Sequence, residues 1–170
     1  SRKKMTWVIR RLNCDLFEAL VLAATDGSLD SMPRSGSQIG MAILVAEPQI
    51  LQGLANCNVL ETTSTRAKRK VRRSIAVECA AASMGMEHAE FLRAALAEMT
   101  REAFTLRSWR RAAASWRLIL VLDAKTGFDA LQSELTVSDR RLAIDVAALR
   151  ENFEDADYNC GFRWIPGPQH

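Results

Sequence analysis

The stretch Leu20-Val21-Leu22-Ala23-Ala24-Thr25-Asp26-Gly27-Ser28 constrains this chain more than any other. An apolar run of that length, closed by a turn signal, predicts a strand buried on both faces. The run leads straight into a carboxylate. An unpaired carboxylate out of water is costly, so Asp26 must lie at the solvent edge of the sheet or against a cation. The pattern returns at Leu118-Ile119-Leu120-Val121-Leu122-Asp123. Two apolar strands that each end in Asp predict a shared metal site.

A chain of 170 residues suits one domain with a proper core. Its 48% apolar and 25% charged residues are the mix of an ordinary globular protein, not of a disordered chain. The net charge is only +3, but the cations are bunched. Arg66, Lys68, Arg69, Lys70, Arg72 and Arg73 fall within eight residues, and Arg107, Arg110, Arg111 and Arg117 form a second group. Such clusters suit a polyanion such as nucleic acid, with a solvated helix face as the alternative. Cys14, Cys57, Cys79 and Cys160 form no C-x-x-C pair. That argues against structural zinc and a disulfide framework, and for a reducing compartment. No apolar stretch approaches the ~20 residues that span a bilayer, so no membrane partner is expected. The basic start, Ser1-Arg2-Lys3-Lys4-Met5, leads to no apolar h-region, and a first residue other than Met reads as a segment of a longer chain.

Residues 1–16 read as a basic linker and 17–170 as the domain. Strands are expected at about Phe17–Asp26 and Ile39–Val45, with a weaker one within Ile50–Leu60, as an antiparallel meander. Asp30–Gly36 reads as a turn-rich loop. A long helix is predicted over Arg73–Thr100, with Gly85 a possible break and Phe91, Leu92, Ala95, Leu96 and Met99 at helical spacing. Residues 101–116 hold Trp109 and Trp116 and fit either a helix or a covering loop. The strand Leu118–Asp123 follows, then a short helix over Thr126–Gln132. Ser138 is a candidate N-cap for a helix carrying Leu142, Val146, Leu149 and Phe153 on one face. Tyr158–Ile165 is the last strand.

Glu78 is a third acid, early in the long helix, with Ile75, Cys79 and Ala82 as its neighbours on the inward side. An acid there is unusual unless a counter-charge waits for it. Acids from two adjacent strands and the facing helix can converge on one point.

In these residues the chain resembles ribonuclease H, and more finely the ribonuclease H domain of copia-type LTR retrotransposon polyproteins. The likeness rests on Thr25-Asp26-Gly27-Ser28, Arg34-Ser35-Gly36-Ser37, Arg73-Ser74-Ile75-Ala76-Val77-Glu78, Asp123, the Arg141–Glu151 segment and Trp164-Ile165-Pro166-Gly167-Pro168-Gln169-His170. It departs from the family's histidines, which are Leu142 and Ala148 here, and from the Asn-Gln after the third acid, here Ala124-Lys125. The family's fourth acid would follow the Pro-Gly turn, so the domain is expected to stop before the fold's last helix.

The resemblance implies an α/β, ribonuclease H-like fold: a mixed five-stranded sheet, a meander of three strands plus two more, flanked by helices. It implies an endonuclease that hydrolyses the RNA strand of RNA·DNA hybrids beside a reverse transcriptase domain of the same polyprotein. Two Mg²⁺ (or Mn²⁺) ions about 4 Å apart can clamp the attacking and leaving oxygens, with no small-molecule cofactor. Asp26 would bridge both ions, and Glu78 and Asp123 would complete the site. Gly27 would let the backbone approach the phosphate, Ser28 would bond the substrate backbone, and Lys68, Arg69, Arg72 and Arg73 would hold phosphates. The alternative is a catalytically impaired module of this fold that only binds or positions nucleic acid.

Overall fold

The computed structural model describes residues 8–32, 36–67, 73–101, 104–133 and 139–165. Five strands form one mixed sheet in the order β3-β2-β1-β4-β5: β1 Leu20–Met32, β2 Gly36–Ala46, β3 Cys57–Arg66, β4 Leu118–Leu122 and β5 Cys160–Trp164. β1, β2 and β3 are the expected antiparallel meander, and β4 and β5 add in parallel to the other side of β1. Among the described residues four α-helices accompany them: α1 Ser74–Thr100, α2 Trp109–Ala113, α3 Lys125–Gln132 and α4 Arg140–Glu154. This is the anticipated α/β architecture.

The apolar run of β1 is buried on both faces, as its composition demands. Val21 and Ala23 join the main core under α1, together with Leu118, Leu120, Val146 and Leu149. Leu20 and Leu22 face the other way, against Ala46 and Ile119. Residues 101–116, unassigned from sequence, contribute α2 and Trp116, which is fully buried. Its indole Nε1 donates to Leu16 O at 3.0 Å, and its ring lies 5.1 Å from that of Phe17.

Several boundaries differ from expectation. β1 does not end at Asp26 but continues to Met32, and β2 begins at Gly36, so the turn-rich loop shrinks. The third strand lies later than expected. Pro48–Leu51 forms a single tight helical turn, and β3 takes up Thr62, Thr63, Ser64 and Thr65, of which the three β-branched threonines suit a strand. Gly85 does not break α1. A Cβ on it would strike the Thr25 side chain, so the glycine lets the helix lie close on β1. Close approach also explains which face of α1 is buried. Ala81, Ala82, Ala89 and Ala97 are covered, whereas Phe91 and Met99, two of the apolar residues at helical spacing, are exposed. Ser138 falls outside the described residues, and Asp139 Oδ1 accepts from Leu142 N at 3.3 Å at the start of α4. Leu142, Val146 and Leu149 are buried as the spacing required.

The stretch read as a linker is hydrogen-bonded to the domain. Arg10 N donates to Asn58 Oδ1 at 2.7 Å, Asn58 Nδ2 returns a bond to Arg10 O at 2.8 Å, and Asn13 N donates to Glu47 Oε1 at 2.8 Å. All four cysteines are free thiols. Among the described residues, no helix is long and apolar enough to cross a membrane.

Candidate active site

Asp26 owes its place to the length of its neighbours. β4 ends at Leu122, which pairs with Thr25, so Asp26 is the first residue of β1 beyond that parallel partner. A notch opens there, and the acid is exposed although its strand runs on. Thr25 and Ala23 face α1, so the alternation of a strand turns Asp26 to the opposite face. Asp123 follows β4 directly and lies across the notch. Its peptide oxygen accepts from Trp164 Nε1 at 3.0 Å, and Ile165 N donates to Leu122 O at 2.9 Å. Asp26 and Asp123 line one open groove of about 540 Å³, floored by Ala24, Ala42 and Val121 and bordered by Thr63 and Ile165.

Glu78 arrives from the other layer, around Gly27. A Cβ on Gly27 would lie 2.8 Å from Glu78 N and from Val77 C, so only glycine lets the first turns of α1 settle on β1 here. The missing side chain at Gly27 thus makes room for the helix. Glu78 is buried. Its Oε1 accepts from Ser74 Oγ at 2.6 Å and its Oε2 from Thr126 Oγ1 at 3.1 Å.

Asp123 feels the charge of the other two acids. The Asp123 carboxyl is held above the usual carboxylate range by partial burial, then by the Asp26 charge, and to a smaller degree by Glu78. The N–H groups of Asp123 and Ala124 donate to it and pull the other way. Repulsion on a carboxylate is what a divalent cation relieves, and an all-carboxylate donor set is the hard oxygen chemistry that Mg²⁺ and Mn²⁺ accept. The donor types therefore fit such an ion. The expected closing of all three acids around a cation pair is not what this structure contains. Among the described residues no group of three or more His, Cys, Asp or Glu side chains converges in a metal-holding cluster, and Glu78 is bonded to hydroxyls beside the groove.

Of the expected substrate contacts, Ser28 is half-buried on β1 opposite Gln38, and Arg73 is exposed just before α1. Lys68, Arg69 and Arg72 lie outside the described residues. Sequence reasoning missed Ser74 and Thr126 as partners of Glu78. Ser74 was readable, since a residue four before Glu78 on a helix lies beside it. Nothing local marked Thr126.

No protein-family model and no curated protein sequence matches this chain. Solved structures do. The chain is similar to LC11-RNase H1, solved in complex with an RNA/DNA hybrid, at 16% identity and TM-score 0.53 over 86% of this chain and 85% of that one. A second structure of LC11-RNase H1, isolated from compost by a metagenomic approach, gives 15% identity and TM-score 0.52 over 86% and 84%. The N-terminal ribonuclease H domain of Rv2228c from Mycobacterium tuberculosis gives 14% identity and TM-score 0.51 over 86% and 87%. Identities this low speak to architecture alone. With the strand order and the helices that flank the mixed sheet, they establish that this chain has the ribonuclease H fold.

Proposed function

We propose that the chain is a metal-dependent endonuclease acting on the RNA strand of RNA·DNA hybrids. The observation that carries this reading is the notch where β4 stops, which sets Asp26 and Asp123 on one groove with Glu78 close enough to perturb Asp123. Two bound Mg²⁺ or Mn²⁺ ions would supply charge neutralisation and an activated water for phosphodiester hydrolysis. Asp26, on the central strand, would serve both ions in this reading, with Asp123 and Glu78 as the remaining carboxylate ligands. Arg73, with Lys68, Arg69 and Arg72 before it in sequence, holds phosphates of the duplex ahead of α1. Ser28 donates to the substrate backbone. Selectivity for hybrid rests on 2′-hydroxyls and groove shape rather than base sequence. LC11-RNase H1, of the same fold, was solved with such a hybrid, which supports this substrate class here. A place beside a reverse transcriptase in a retrotransposon polyprotein, of copia type by its motifs, belongs to the same reading.

A binding module without catalysis is the second reading, favoured by the engagement of Glu78 with Ser74 and Thr126 and the lack of a three-acid cluster among the described residues. Cleavage of labelled hybrid with Mg²⁺ or Mn²⁺ separates the two. The first expects cleavage by the chain and background levels from Asp26→Asn. Cleavage that survives Asp26→Asn would show that the site is misassigned, and hybrid binding without cleavage would select the second.

A further inference from the structure

Thr126 stands three residues after Asp123, in the first turn of α3. Its hydroxyl and that of Ser74 each take one oxygen of Glu78, at 3.1 and 2.6 Å. Both donors are neutral, and among the described residues Glu78 forms no ion pair. An ionised carboxylate offers about four lone-pair positions, so two hydroxyls leave about two for a cation. Gly127 belongs to the same arrangement. A Cβ there would lie 3.3 Å from Glu78 Oε2, so α3 approaches the carboxylate this closely because residue 127 has no side chain.

We propose that Thr126 is a positioning residue, whose hydroxyl orients the Glu78 carboxylate for a divalent cation shared with Asp26 and Asp123. The inference rests on the nuclease reading above. A glutamate side chain has three rotors, and ordering them costs conformational entropy. Where hydroxyls have already ordered it, the ion does not bear that cost, and outer partners of metal ligands act in this way generally. Ser74 travels with Glu78 on α1 and can hold it only relative to that helix. Thr126 belongs to the segment that carries Asp123, so its bond is the one that relates two of the ligands to each other.

The test is Mn²⁺ binding to the whole chain, read from the loss of the free-ion electron paramagnetic resonance signal, with thermal melts to show that each variant is folded. Thr126→Val is expected to weaken Mn²⁺ about tenfold, and Thr126→Ser to bind like the parent chain. Thr126→Ala removes the same hydroxyl from an exposed position and gives the same reading should valine disturb the turn. Parent-like Mn²⁺ binding in Thr126→Val and Thr126→Ala, with binding lost in Asp26→Asn, overturns this inference and leaves the nuclease reading standing. A parent chain that binds no Mn²⁺ at millimolar concentration overturns both.

Discussion

Glu47 shows what a single buried carboxylate does in this fold. It forms no ion pair among the described residues, and accepts instead from Asn13 N at 2.8 Å, Asn56 Nδ2 at 3.0 Å and Asn56 N at 3.2 Å. These donors, the Asn13 N–H first, hold its carboxyl below the usual range. A depressed acid contributes stability above its unfolded value and loses it as pH falls through the folded one. Glu47→Gln is therefore expected to lower the melting temperature at pH 7, with the deficit shrinking as the parent chain is acidified. A deficit constant with pH would show that shape, not charge, is being read. Gly27 makes the opposite case, where the missing side chain matters. Gly27→Ala drives a methyl into the backbone of Val77 and Glu78 and is expected to cost about 1–3 kcal/mol in urea unfolding.

Among the elements, α1 was the most legible in extent and the least in orientation. Its bounds follow from helix formers between Arg73 and Thr100, but its buried face does not follow from the largest apolar residues. The helix is drawn so near the sheet that small side chains and Arg93 fill the contact. Arg93 is fully buried, with Nε donating to Ala113 O at 3.0 Å and Nη2 to Tyr158 O at 2.7 Å, below the Tyr158 ring at 5.0 Å. It thereby ties α1 to α2 and to the turn before β5. Arg93→Met keeps the stem, strands both carbonyls, and is expected to cost about 2–4 kcal/mol in the same urea titration. Nothing in the local sequence distinguishes this arginine from the solvent-facing ones, because its partners are 20 and 65 residues away. Similarly, β3 lies later than the apolar pattern predicts, because its second half is the polar run Thr62–Thr65.

For the whole molecule, the site was legible as residue types and not as geometry. The apolar runs ending in Asp26 and Asp123 identify two acids at one sheet end, because burial permits a carboxylate only at a break in pairing. That Asp26 lies within β1, exposed by the early end of β4, depends on the lengths of two strands far apart in sequence. The basic segment before α1 yields a property of the whole molecule. Lys68→Ala with Arg69→Ala should weaken hybrid binding equally across sequences and flatten the plot of log K against log salt by about 0.9 per lost phosphate contact. An unchanged slope in fluorescence anisotropy would remove that segment from the interface.

The two glycines at the junction of α1 and β1 have one more consequence. Gly27 receives the helix at Val77 and Glu78, and Gly85, two turns further along, receives Thr25 of the strand. Two dowels seven or eight residues apart forbid both sliding and rolling, since one added residue turns the helix by about 100°. The spacing between Glu78 and Gly85 therefore cannot drift, and an insertion there must unseat one end of the joint.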